Sequence, residues 1–180
     1  MELSPTAYVI LGMVQKEPRS GYDIKALIDN SSRFFWAASY GQIYPELKRL
    51  AQAGLIVGSD FPTGGRRRTV YEITADGEEE LRAWLRRPPL TFEMRDEGLL
   101  KLFFAEALPR AEALAILRQM RERRLEVHQR LRAIEQMKTD DEDSFPMIVL
   151  QGGLEFTEWF ADWCERMEEQ IRESGNERSR

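Results

Sequence analysis

The sequence predicts a mainly α-helical fold in two parts. Three short helices closed by a two-stranded β-hairpin come first, and an all-α region follows. Three observations predict it. Apolar residues recur at helical spacing, as at Ile43, Leu47 and Leu50. The strand formers gather on either side of one turn, Phe61-Pro62-Thr63-Gly64-Gly65. Arg86-Arg87-Pro88-Pro89 then breaks the helical pattern near mid-chain. The expected domains are residues 1–87, residues 88–174 and a short disordered tail, 175–180.

Taken in order, Ser4 caps the first helix, with Pro5 at its first position, and Lys16-Glu17-Pro18 ends it. Ser20 caps a second helix, Gly21 to Ile28. Asp23 there supplies the acidic position of a capping box, and Ile24, Leu27 and Ile28 form the buried face. Phe34, Phe35 and Trp36 fall in a loop and are expected to plug the core. Ser39 and Gln42 repeat the capping-box spacing and open a third helix. Pro45 lies beyond its first turn, so a distortion is expected there. Gly54 stops that helix, and strands follow over Leu55 to Ser59 and Val70 to Ile73. Thr74 caps a fourth helix, Ala75 to Leu85.

In the second half, Leu99, Leu100, Leu102, Phe103 and Phe104 crowd a short helix, and Pro109 opens a long one to Met137. Leu117, Met120, Val127, Leu131 and Ile134 mark its packing seam, interrupted by Arg124. Asp140-Asp141-Glu142-Asp143 lacks the glycine and terminal glutamate of a calcium loop and reads as a linker. The last helix, about Ser144 to Ser174, carries Phe156, Phe160, Trp163, Met167 and Ile171 as its stripe. Gly152 and Gly153 leave room for another backbone. Two such helices cannot both cover their apolar faces within one half-chain, so a homodimer is expected.

Three helices and a hairpin in this order define a winged helix-turn-helix, with the hairpin as a two-stranded wing. The third helix exposes Ser39, Tyr40, Gln42, Tyr44 and Lys48, all able to donate hydrogen bonds, and would enter the major groove of double-stranded DNA. Tyr44 is as readily a core residue. Arg66, Arg67 and Arg68 at the wing tip suit phosphates or a minor groove. Tyr22 and Lys25 would add backbone contacts.

The bulk composition bounds this reading. A net charge of −5 argues weakly against nucleic acid, but the acidity is unevenly placed. Residues 1–90 carry 12 Lys and Arg against 11 Asp and Glu, and residues 91–180 carry 14 against 20. The single cysteine, Cys164, excludes an intrachain disulfide. The chain has no apolar run of the roughly 18 residues a membrane span needs, and its first residues do not read as a secretory signal, so none is expected. A cytoplasmic protein without membrane association is expected. One histidine, one cysteine and no Gly-rich phosphate loop leave few arrangements for an enzyme, a metal site or a cofactor. The rival reading is a protein-interaction module built on a winged helix without specific DNA binding.

Several of these pieces stand together in one known family. Ser20-Gly21-Tyr22-Asp23-Ile24, Phe35-Trp36, Gln42-Ile43-Tyr44-Pro45-Glu46-Leu47, Gly54-Leu55-Ile56, Tyr71-Glu72-Ile73-Thr74 and Gly77, in that order over about 80 residues, resemble the PadR family of bacterial transcriptional regulators. The resemblance implies a homodimer that binds a palindromic operator, usually as a repressor. For many members it also implies an effector that weakens DNA binding, phenolic acids and lipophilic drugs among them. Phe156, Trp159, Phe160 and Trp163 are the candidates to hold such a small aromatic or lipophilic effector, although plain interface packing accounts for them as well.

Overall fold

Ser4 and Pro5 open the first helix, α1 (Pro5–Gln15), as expected, with the Ser4 hydroxyl accepting from the Ala7 N–H. The computed structural model describes residues 3–63, 66–89, 95–137 and 144–177, with backbone alone at residues 62, 63, 66, 67 and 175–177. The chain divides into two units, Met1–Thr91 and Phe92–Arg180, four residues beyond the sequence boundary.

In the first unit α1 is followed by β1 (Arg19–Ser20), α2 (Gly21–Asp29), a 3-10 turn (Ser32–Phe34), α3 (Tyr40–Gln52), β2 (Ile56–Thr63), β3 (Arg66–Ile73) and α4 (Ala75–Leu85). Ile10, Leu11 and Val14 of α1, Ile24 and Ile28 of α2, and Ile43, Leu47 and Leu50 of α3 meet in one buried cluster. Each such side chain contributes about 1.5–3 kcal/mol on burial. Gly54 adopts φ 71°, which only glycine takes without strain. The Leu55 N–H reaches back to the Leu50 carbonyl and the Gly54 N–H to that of Ala51, so the paired bonds stop α3 and turn the chain into β2.

The sheet differs from the expected hairpin in two ways. It has three antiparallel strands in the order β1-β3-β2, because Arg19 pairs with Tyr71 and Ser20 with Val70. A two-residue strand is too short to show periodicity. The hairpin is also longer than expected: Phe61, Pro62 and Thr63, read as turn, belong to β2. Pro62 is tolerated because β2 is an edge strand. Phe35 and Trp36 correct a second expectation. They do not plug the core but stand exposed, Phe35 at 65%, beside the short 3-10 turn.

In the second unit, Asp96 caps α5 (Glu97–Phe103), and α6 (Arg110–Met137) pairs with α7 (Phe145–Glu177). Arg118 pairs with Glu168, Arg121 with Glu165 and His128 with Thr157, so α6 and α7 run antiparallel. The α7 backbone is helical to Glu177, three residues past the expected end, because no Gly175 break occurs. The acidic connector Asp140 to Asp143 lies outside the described residues.

The buried face of α7 follows the stripe read from the sequence only in part: Phe160 is buried and Trp163 and Met167 pack against the same cluster. Leu150, Leu154, Thr157, Phe160, Ala161 and Cys164 are buried, whereas Phe156 and Ile171 are exposed. A second apolar row, Phe145, Ile148, Val149, Phe156 and Trp159, stands open to solvent on the neighbouring face. Periodicity found the middle of a broad apolar band and could not divide it into two faces.

Candidate nucleic-acid interface

The turn between α2 and α3 positions the candidate interface, and both helices begin on capping residues. The Asp23 carboxylate accepts from the Ser20 N–H at 3.0 Å and from its hydroxyl at 2.7 Å. At α3 the Gln42 side-chain oxygen accepts from the Ser39 N–H at 2.9 Å and from its hydroxyl at 3.1 Å. The helix starts at Tyr40 and continues without a break through Pro45. Proline supplies no N–H there, so the Gly41 carbonyl lacks its usual in-helix donor.

Because Ile43, Leu47 and Leu50 face the core, helical geometry turns Tyr40, Gln42, Tyr44 and Lys48 to solvent. All four are exposed, but only Tyr40, Tyr44 and Lys48 follow one another at four-residue steps along one side of α3, with Gln42 further round the helix and Ser39 at its head. The Tyr40 and Tyr44 rings stack with centroids 6.1 Å apart. Tyr44 serves both surface and packing: it is 51% exposed, yet its ring covers Gly21, where an added Cβ would lie 2.8 Å from Cε1. Lys48 forms no ion pair among the described residues, and Tyr22 is exposed at the start of α2. Lys25 is less available than expected. It is ion-paired to Asp29, and its ammonium lies 5.7 Å from the Tyr40 ring centroid, which makes it a support for Tyr40.

Of the wing arginines, Arg68 has its side chain among the described residues. The side chains of Arg66 and Arg67 lie outside the described residues, although their backbone pairs with Thr63 and Pro62. Arg68 donates to the Asp23 carboxylate at 2.5 Å, across 45 residues of sequence. Burial pushes the Asp23 carboxyl up. The Ser20 hydroxyl, the Ser20 N–H and the Arg68 guanidinium together outweigh it, and hold the group below the ordinary carboxylate range.

Sequence reasoning missed Glu46, which is only 8% exposed on α3. One carboxylate oxygen accepts from the Ser4 hydroxyl at 2.9 Å and from Arg49 at 3.2 Å, tying α3 to the cap of α1. The other has no partner among the described residues. A charged residue between Pro45 and Leu47 gives no sequence signal of burial.

Phe156, Trp159, Phe160 and Trp163 touch in series, with successive centroids 5.5–6.2 Å apart. The Arg124 guanidinium lies over them, 4.3 Å from the Phe160 centroid and 5.3 Å from that of Phe156, and pairs with Asp96 at 3.2 Å. The seam interruption is therefore a stacked cation. Trp163 alone of the four faces a groove of about 610 Å³, shared with Leu102, Leu108, Leu117, Met167 and Ile171. Cys164 is buried, and burial pushes its thiol up. Among the described residues no group of three His, Cys, Asp or Glu side chains is placed to hold a metal, and no helix is long and apolar enough to cross a membrane.

Comparison with known proteins agrees with this geometry. Residues 10–83 match the transcriptional regulator PadR-like family, and residues 94–172 match the virulence activator alpha C-terminal region. The chain is 33% identical over 168 residues to the negative transcriptional regulator PadR of Bacillus subtilis, covering 88% of this chain and 92% of that one. Its fold superimposes on B. subtilis PadR in complex with operator DNA with a TM-score of 0.83, at 31% identity, over 93% of this chain and 99% of that one. The same relative in complex with p-coumaric acid gives a TM-score of 0.74 at 29% identity, over 95% and 99%. With that identity sustained over most of both chains, the protein belongs to the PadR-like family of transcriptional regulators.

Proposed function

We propose that this protein is a homodimeric, sequence-specific repressor of the cytoplasm, which binds a palindromic operator and is released by a small aromatic or lipophilic effector. The observation that carries the reading is α3 itself, whose exposed side chains include Tyr40, Gln42, Tyr44 and Lys48, next in sequence to a basic wing and on a fold similar to operator-bound PadR. In this reading α3 enters the major groove. Gln42 holds its oxygen against the Ser39 N–H, so it offers a base edge its amide N–H groups only, and bidentate pairing with adenine requires it to leave the cap. Tyr40, Tyr44 and Lys48 take phosphates, with Tyr22 at the start of α2. Ser39 contributes by fixing Gln42.

One α3 reads too few bases for a unique site. The exposed row on α7 supplies the second copy. A Cβ added at Gly152, within that row, would meet nothing within 4 Å, which leaves room for a partner backbone. Two α3 helices then meet half-sites about one helical turn apart. Effector release draws on the relative bound to p-coumaric acid, with the Trp163 groove as the apolar space in this chain.

Salt titration tests the DNA reading. Each phosphate contact contributes about 0.9 to the slope of log K against log salt. The triple variant R66A/R67A/R68A is expected to bind its promoter DNA with a distinctly flatter slope than the parent. An unchanged slope would remove the wing from the interface, and a parent chain with no salt-dependent binding would sink the reading as a whole.

A further inference from the structure

We infer that Arg68 is a positioning residue, which pins the wing to the start of α2 through Asp23 and so holds the wing beside α3, instead of serving as a phosphate ligand. The inference rests on the DNA-binding reading for its function, and on this chain's own geometry for its existence. The Asp23 carboxylate is not a loose surface charge. Two hydrogen bonds from Ser20 fix it in the capping box, so an arginine that binds it is bound to a rigid point. Ser20 is also a strand residue, paired with Val70. Arg68 lies two residues before Val70 on β3, towards the wing tip and on the same face. The Arg68–Asp23 pair thus extends the β1–β3 attachment one step towards the wing tip. Beyond Val70, β3 has β2 alone as its strand partner. The pin sits where the hairpin leaves the body of the domain.

Charge supports the same assignment. Asp23 stands in the first turn of α2, beside the exposed Tyr22, where a phosphate would otherwise meet a carboxylate. Arg68 neutralises that carboxylate. To bind a phosphate instead, the guanidinium would have to surrender a 2.5 Å charged hydrogen bond and expose the negative group beside the DNA. Both side chains are partly exposed, 51% for Arg68 and 32% for Asp23, so the pin is expected to act mainly on orientation, with a small but measurable effect on stability.

Two measurements on the full chain test this. The first is the thermal unfolding of R68A, D23N and the double variant. The amide that D23N introduces retains an oxygen for the Ser20 N–H, so the cap survives while the charge is lost. A pin requires non-additive shifts, with the double variant no less stable than the weaker single one. The second is binding to a mixed-sequence duplex of about three helical turns across a range of salt, which needs no knowledge of the operator. R68A and D23N are each expected to weaken binding about two- to fivefold, the size of a partly exposed ion pair, with the salt slope of R68A unchanged. D23N is a stringent test, because the negative charge it removes would by itself tighten binding. The opposite pattern, a slope reduced by about 0.9 for each protomer in R68A together with tighter binding by D23N, would make Arg68 a phosphate ligand and overturn the inference. Additive unfolding shifts would overturn the pin whatever the DNA result, whereas a parent chain that binds no duplex would overturn the DNA reading instead.

Discussion

Gly77→Ala is expected to lower the stability of the first unit by more than about 3 kcal/mol, although helix propensity alone predicts a gain of about 1 kcal/mol. Gly77 lies in the first turn of α4, where its N–H donates to the Thr74 hydroxyl at 3.1 Å. A Cβ added there would stand 2.0 Å from the Leu55 carbonyl oxygen and 2.9 Å from Ile73 Cγ1. The nearest obstacle is backbone, so no rotamer change relieves it. That same carbonyl accepts from the Thr74 N–H at 3.1 Å, and the Thr74 hydroxyl donates to the Gly54 carbonyl at 2.7 Å. Moving Leu55 would therefore loosen the junction that joins the end of α3, the wing and α4. Sterics outweigh propensity here. For a unit of this size the loss corresponds to a fall in melting temperature of about 12 °C or more, measurable by circular dichroism. An unchanged or raised melting temperature would show that the Leu55–Gly77 approach is not as close as described.

The second large effect concerns α7. The double variant I148D/W159D is expected to be monomeric at micromolar concentration, where the parent chain is expected to sediment as a dimer. Ile148 and Trp159 lie on the exposed apolar row, 56% and 54% accessible, and face away from the residues that pack on α6. A continuous apolar row of this kind marks an interface, whereas isolated exposed apolar residues do not. Burying a charge in place of each should raise the dimer dissociation constant by at least about a hundredfold, given the 2 kcal/mol or more typical of central aromatic anchors. The helical content should survive, because Leu150, Leu154, Ala161 and Cys164 still hold α7 to α6. Operator binding should fall with the dimer, since a monomer engages one half-site only. A variant that stays dimeric would place the interface elsewhere.

Much of this structure is legible in the sequence because its signals are local. Ser4-Pro5, the Ser20–Asp23 box, the Ser39–Gln42 pairing and Gly54 each act within a few residues, and all mark element ends where the structure has them. The core stripe of α3 is equally plain, so its solvent face follows. What escaped depends on distance. β1 exists only because β3 arrives beside it, and Arg68 finds Asp23 across 45 residues. Arg124 breaks the seam in sequence yet fills it in space, because its guanidinium carbon stands 4.3 Å from the Phe160 ring centroid. Gln42 is a base reader by residue type, but its neighbour Ser39 already holds its oxygen. On α7 the apolar band spans two faces, and which face meets α6 is decided by the shape of α6.

Footprinting the purified protein on the promoter of its own transcription unit tests the central claim most directly. Two protected half-sites related by a two-fold axis are expected, with centres about one helical turn apart, and both should be lost in the α7 double variant. Protection of a single asymmetric stretch, or no protection at concentrations where the chain is dimeric, would contradict it.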